Sequence, residues 1–419
     1  MPWKTLSDRA GATTRVGRYT QAAHFRAALL EGLVQGVISL NEIVARKTLA
    51  ASDAVITALV MAQPISLFFS AYWSNFLVGR DKRSTFLIFG ALGRLSLVLV
   101  AAVHGGVGFA VVVVLATLMI GAIIPAQNAL YQSNYHVVER GRVFGIATAI
   151  QALATIGSAV LVGRLYDWRA DGFRWAYAGA AVCGFASCWT FYRIRYKSRG
   201  EGRPTRLRAA GLAAEIRRSI RSPFAGSLSI LRRDAAFRRY EAAFMAYGLA
   251  YMMLQPVLPI FLVERLHVDY AQASNARGLI FYSMMVLFSP LFGRVVDRTG
   301  PVRLSMAAFV VLAAFPALLM TAATVRTAYV AFAVYGLAMA AVNIGWTLGP
   351  IHFAGSSDSA AYMGAHVALV GLRGLVGGPL GILLYRWSGT PNATFACAVG
   401  LFLLGSGLLW TLSRERAAA

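Results

Sequence analysis

Twelve apolar blocks, each roughly 20 residues long, follow one another along this chain, and nothing else in the sequence restricts its fold so severely. About 20 helical residues cross a hydrocarbon layer of about 30 Å. The blocks run approximately 24–45, 54–77, 86–104, 107–132, 142–166 and 174–194, then 241–263, 275–295, 303–324, 327–351, 361–385 and 394–413. Lipid offers no partner to exposed backbone groups, so each block is expected to be a helix. No 10-residue alternating pattern suggests a membrane barrel. The chain is 58% hydrophobic and 14% charged, too little polar surface for a soluble protein of 419 residues. The expected fold class is therefore an all-α integral membrane protein with twelve transmembrane helices.

The formal charge of +23 raises the question of nucleic acid. Its placement argues for a membrane surface instead. An even number of spans puts both ends on one side, and most of the 40 lysines and arginines fall there. Positive-inside bias makes that side the cytoplasm and the membrane the inner one. The densest basic run lies between Arg193 and Arg239, suited to anionic lipid headgroups. Within it, Leu212–Ile216 with Ile220, and Leu228, Ile230 and Leu231, have a weak helical period that predicts short interfacial helices. The first 23 residues are polar and lack a secretory-signal core, so the first block is expected to stay as a helix. Cys183, Cys188 and Cys397 all sit in apolar blocks and read as core residues, not as a disulfide or metal framework.

An internal repeat divides the chain. At a constant offset of 219 residues, Arg46 meets Arg265, Phe69-Ser70 meets Phe288-Ser289 and Gly145 meets Gly364. Leu153 meets Leu372, Leu165-Tyr166 meets Leu384-Tyr385, and Trp168 meets Trp387. The expected organisation is a six-helix bundle over 1–194, a basic cytoplasmic linker over 195–240 and a second, pseudo-symmetric bundle over 241–419.

The sharpest motif is Gly293-Arg-Val-Val-Asp297-Arg298-Thr-Gly300-Pro-Val-Arg303, between spans 8 and 9. Gly293 is expected to allow close helix approach. Asp297 can accept charge-assisted hydrogen bonds. Gly300 suits a tight turn, and Arg298 and Arg303 hold the cytoplasmic face. Such a cluster is suited to a conformational latch. Together with twelve spans, a six-plus-six repeat and a basic middle loop, it resembles the signature of the major facilitator superfamily, Gly-x-x-x-Asp-Arg-x-Gly-x-x-Arg. The resemblance covers nearly the whole chain. Its first-half counterpart, Trp73 to Arg83, is degraded: the offset puts Ser74 at the motif glycine and Val78 at its aspartate. Glu139-Arg140-Gly141-Arg142 before span 5 is similar to a family Arg-Gly pair. Span 5 carries Gly157-Ser158 without the proline of family antiporters. Span 11 instead carries Arg373-Gly374-Leu-Val-Gly377-Gly378-Pro379-Leu-Gly381, small residues suited to close packing.

Charge inside a bilayer is costly and usually functional. Glu31 lies in span 1, with Gln35 one turn on along the same face. The resemblance implies that spans 1, 4, 7 and 10 line a central cavity. It offers Glu31, Gln35, Gln127, Asn128, Tyr131, Tyr247, Tyr251, Gln255, Asn343, Trp346 and Thr347 as substrate contacts, with Gln151 in span 5 beside them. Glu31 is the candidate proton-coupling residue; the alternatives are a permanent pair with an arginine or contact with cytoplasmic water. Arg373, mid-span, needs a carboxylate, carbonyls or an anionic substrate, and Glu31 is one candidate partner. Arg94 lies nearer the cytoplasm and suits a structural role. His366, near a span end, is expected to be solvated.

No Walker-type phosphate loop, zinc spacing or Gly-x-Ser-x-Gly elbow occurs, which argues against ATP drive, a metal, any cofactor and an enzyme. The expected function is secondary transport of a small organic solute by alternating access, proton-coupled because Glu31 is available, with the efflux direction implied by the family resemblance alone. The partners are the small-molecule substrate, the coupling ion and membrane lipids, with no nucleic acid, and the chain is read as a monomer. The alternatives are a facilitator or importer of an anionic metabolite, a lipid transporter, or a membrane protein that transports nothing.

Overall fold

The computed structural model describes residues 15–76, 82–135, 137–194, 228–354 and 359–418. Among them there is no strand, and the helices fall into twelve crossings. α1 comprises Arg15–Ile38 and Asn41–Lys47; α2 is Asp53–Phe76; α3 is Lys82–Gly93, continued by a tighter 3₁₀ stretch, Leu95–Ala102. α4 comprises Gly106–Ile120 and Ile123–Asn134, α5 is Val137–Trp168 and α6 is Gly172–Tyr192. In the second half α7 is Ala235–Ile260, ending in a π turn, Phe261–Arg265. One long helical path from 270 to 321 holds two crossings, α8 (270–299) and α9 (301–321), parted at Gly300. α10 is Val325–Ala354, α11 is Ser359–Ser388 and α12 is Pro391–Ala418. Eight helical stretches are long and apolar enough to cross a membrane, the one at Tyr270–Thr321 holding both α8 and α9; Asp53–Phe69 and Gly106–Ile120 are shorter apolar helices.

The face that carries Arg15 and Ala418 is called terminal below, and the opposite face distal. The helices outrun the apolar blocks mainly on the terminal face: α1 begins at Arg15, α7 at Ala235, and α12 ends at Ala418. Residues 228–233 form a short helical turn, as the spacing of Leu228, Ile230 and Leu231 predicts; Leu212 to Ile220 lies outside the described residues.

The repeat is visible in the packing. α1 packs on α5 and α6, and α7 packs equivalently on α11 and α12. Gly32 and Gly36 bring α1 against Gln151 and Ser158 of α5, while Gly377 and Gly381 bring α11 against Met252 and Met253 of α7. Trp168 and Trp387, equivalent by the repeat, end α5 and α11 on the distal face and are 78% and 83% exposed, as interfacial anchors are.

Two seams join the halves. α2 meets α11, where Phe68 lies over Gly371 and Pro64 over Gly374. α5 meets α8, where a Cβ built on Gly278 would lie 2.5 Å from Ala159 Cβ. The glycine run of span 11 is thus divided: Gly374 and Gly378 face α2 of the other half, while Gly377 and Gly381 face α7 of their own.

The long-motif glycines divide in role. Gly300 has φ 76° and ψ 163°, a backbone that side chains resist, so the motif turn requires it. Gly293 does not mark a close approach: a Cβ there would meet nothing within 4 Å, because the helix is not pressed against a neighbour at that turn. Asp297, Arg298 and Arg303 are exposed on the terminal face, and among the described residues they form no ion pair. Residues 77–81 of the first-half counterpart lie outside the described residues, as do the side chains of Glu139 to Arg142.

Candidate functional site

α1 carries polar residues on successive turns, and each turn meets a different environment. Glu31 turns into the first bundle and forms an ion pair with Arg94 of α3. Both side chains are largely withdrawn from water. They line a cavity of about 330 Å³ with Gln127, Tyr131 and Gln151. His24 lies in the same wall, stacked on Tyr131 with ring centroids 4.4 Å apart, its Nδ1 3.2 Å from Tyr135 Oη. Arg94 is therefore the partner of Glu31, and Arg373 is not.

One turn beyond, Gln35 lines a second cavity of about 420 Å³ that lies between the halves. α1, α2 and α4 form one wall; α7, α8 and α10 form the other. Gln63, Tyr251, Gln255 and Tyr335 present polar or aromatic groups, and Gln255 Nε2 lies 3.5 Å from Tyr335 Oη. Glu42 and Arg277 also line it, joined across the halves by a hydrogen bond of 2.9 Å from Arg277 Nη1 to Glu42 Oε2.

Other sequence-singled residues lie elsewhere. Tyr247 is buried, stacked on Phe309 with centroids 4.8 Å apart and facing away from the central cavity. The four-residue spacing from Tyr247 to Tyr251 to Gln255 turns the helix by about 40° per step, enough to carry its first member into the bundle core. Arg373 sits over the Tyr247 ring, 5.5 Å from guanidinium carbon to centroid, and donates from Nη1 to Phe244 O at 2.6 Å. Its partner is thus a carbonyl of α7. Asn343 is exposed, with Nδ2 3.5 Å from Met285 Sδ, and Trp346 meets His366 edge-on at 5.0 Å. The side chain of Asn128 lies outside the described residues.

His366 corrects the sequence reading. It is 0% exposed, and its Nδ1 lies 2.8 Å from Glu241 Oε1 of α7. α7 and α11 run past the apolar block on the terminal face, so a residue near the end of that block is still inside a helix–helix contact. The sequence reading missed Glu241, Glu42 and Arg277. Each lies within a few residues of a block end but inside its boundary, and that position was the available signal.

Above the central cavity the distal face is sealed by polar links between the halves. Arg46 bonds Glu264, Nε to Oε1, at 2.6 Å and also reaches Asp53, which in turn accepts from Arg386 Nε at 2.9 Å. Lys47 Nζ donates to Val268 O at 2.7 Å, and Thr48 bonds the Tyr270 hydroxyl. The Asp167 carboxylate, at the end of α5, accepts from the backbone N–H groups of Tyr270 and Ala271 at 2.8 and 2.7 Å. It thereby caps the positive end of a helix in the other half. Among the described residues, every ion pair that joins the halves lies on the distal side of the cavity.

Two six-helix bundles related by a repeat, with a polar cavity on their seam and, among the described residues, ion pairs between the halves on the distal side of it, have the build of a carrier. The family description Major Facilitator Superfamily matches residues 25–276 and 241–419, and the chain belongs to that superfamily. It is accordingly a multi-pass membrane transporter. Solved structures with the same fold include the nucleoside transporter NupG, at TM-score 0.72 and 14% identity over 94% of this chain and 99% of that one. A POT family transporter in complex with 5-aminolevulinic acid matches at TM-score 0.76 and 13% identity, over 94% and 96%. A bacterial homolog of the human lysosomal transporter Spinster, inward-facing and unoccupied, matches at TM-score 0.67 and 13% identity, over 96% and 98%. At these identities the likeness is one of fold. No curated protein matches the chain significantly in sequence.

Proposed function

We infer that this chain is a secondary active transporter that exports a small organic solute across the inner membrane by alternating access, driven by the proton gradient. The observation that carries the reading is the central cavity: both halves line it, and it lies directly beneath a seal made of links between those halves. Rocking one bundle against the other breaks such links without unfolding either bundle. The basic linker and the basic terminal face support a cytoplasmic location for both ends, which makes the arrangement an inward-facing one.

Gln35, Tyr251 and Gln255 are the proposed solute contacts of the central cavity. Glu31 is the proposed proton carrier. Protonating it removes the charge that holds Arg94, and Gln127 and Gln151 stand in the same cavity to take up the freed donors. The Asp297-Arg298 turn with Gly300 and Arg303 is the proposed latch on the cytoplasmic face. The monomer, with its lipid-facing exterior, is the proposed working unit.

The test is counterflow with purified protein in liposomes, run over a broad solute panel with and without an imposed pH gradient. Exchange of at least one solute, accelerated by the gradient, is the expected result; no exchange across the panel refutes the transport reading. For the coupling role, Glu31→Gln is expected to retain exchange and lose gradient-driven accumulation. Full pH dependence in that variant removes Glu31 from the mechanism.

A further inference from the structure

The central cavity contains one residue of each charge, and the two come from different halves. Glu42 stands on α1 and Arg277 on α8. Their side chains are 15% and 16% exposed, so they face the void while being largely removed from bulk water. None of the other residues lining this cavity is Asp, Glu, Lys, Arg or His. The cavity is therefore formally neutral and carries a single, separable ion pair.

We propose that this site takes a small zwitterion, with an ammonium and a carboxylate a few bonds apart on an apolar or aromatic body. The proposal rests on the reading of the central cavity as the solute site. The physical reason is charge balance. A solute bearing one charge engages Glu42 or Arg277 and strands the other in a poorly hydrated cavity, which is strongly unfavourable. A zwitterion replaces one ion pair by two, carboxylate to Arg277 and ammonium to Glu42, and leaves no charge unpartnered. Its body lies against aromatic rings contributed by the second half, among them Tyr251, Phe281 and Tyr335. A volume of about 420 Å³ falls in the lower part of the range for small-molecule sites, roughly 300–1,000 Å³.

The position of the pair gives the exchange a mechanical consequence. Glu42 lies one turn below Arg46, and Arg277 two turns below Tyr270, both members of the distal seal. Seven residues of helix span about 10 Å. The pair is thus the inner tier of the closure, reached from the cavity before the outer tier. A zwitterion that inserts itself removes the direct link between the halves at that tier and substitutes itself as the bridge. Loaded and empty carriers then differ in how firmly the distal side is held, which is the differential binding that alternating access requires.

The test uses the full chain, purified, with matched sets of molecules that share one body and differ in charge. On the phenyl body these are L-phenylalanine, 2-phenylethylamine, 3-phenylpropanoate and N-acetyl-L-phenylalaninamide; parallel sets use the tryptophan and leucine side chains. Melting temperature and inhibition of counterflow are both read. In at least one set the zwitterion is expected to bind tenfold or more tightly than its cationic, anionic and neutral relatives. Equal or tighter binding of a singly charged or neutral member in every responsive set overturns the proposal, as does the absence of binding by every zwitterion. The Glu42→Gln, Arg277→Gln double variant removes both charges and keeps the cavity neutral. It is expected to reduce the preference to about threefold or less; a preserved tenfold preference overturns the assignment of the site. Solute exchange without a zwitterion preference sinks this inference and leaves the transporter reading intact. Absence of exchange for any solute sinks the transporter reading itself.

Discussion

Gly163 of α5 is the place where a single methyl group should move the carrier between its states. A Cβ built there lies 2.7 Å from Ser274 Cβ and 2.9 Å from Tyr270 O, both in the other half. Carbon atoms rest at about 3.5–4.0 Å, so an alanine requires α5 and α8 to part by roughly 1 Å on the distal side. Ser274 can rotate its hydroxyl aside, but neither its Cβ nor the Tyr270 carbonyl can move without moving α8. Forcing an extra methyl into a packed contact costs about 1–3 kcal/mol. At about 1.4 kcal/mol per decade, that shifts the equilibrium roughly 5- to 150-fold away from the distally closed state. The gain in helix propensity from Gly to Ala is common to both states and cancels. Spin labels at Arg169 and His267, exposed residues of the two halves on the distal face, read the separation directly. Gly163→Ala and Gly163→Val are expected to populate a longer distance progressively, and Gly157→Ala on the same helix to leave it unchanged, since a Cβ at Gly157 meets nothing within 4 Å. Distance distributions for both Gly163 variants that superimpose on the wild type refute the reasoning.

Three further outcomes are expected. Arg94→Gln strands Glu31 and should lower stability by about 1–3 kcal/mol, a range reduced from that of a fully buried pair because both side chains retain some exposure. The Glu31→Gln, Arg94→Gln double variant should recover most of it, and a thermal melt in detergent compares the two. His366→Ala leaves the nearly inaccessible carboxylate of Glu241 without its partner and should cost about 3 kcal/mol, whereas Glu241→Gln with His366 intact costs less; equal melting temperatures for the two variants contradict this. Gly300→Ala forces a side chain into a backbone conformation that costs about 1–3 kcal/mol, and an unchanged melting temperature shows that the turn relaxes freely.

The twelve crossings, their repeat and the motif turn were legible because they are properties of one helix or one turn at a time. Apolar length sets a crossing wherever it is placed, and the constant offset aligns Trp168 with Trp387 with no knowledge of their neighbours. Gly300 was legible for the same local reason. Gln35, Tyr251 and Gln255, which line the central cavity, were singled out by the family resemblance, which chose the spans, together with helical period, since residues on one stripe of a helix share a direction. Tyr247 belongs to that stripe on paper, yet the same helix turns it into the bundle.

Partner choice was decided by the tertiary structure alone. Glu31 and Arg373 are both charges within the membrane, and sequence allowed them to meet; the rotation of α1 gives Glu31 to Arg94, while α11 lays Arg373 on the backbone of α7. Glu42 and Arg277 are separated by hundreds of residues and by the boundary between the halves, so no local period could join them. Hydropathy and helical period are written along the chain and fix what must lie in the bilayer. Which charges face each other depends on how helices are rotated and crossed, and only the folded chain sets those angles.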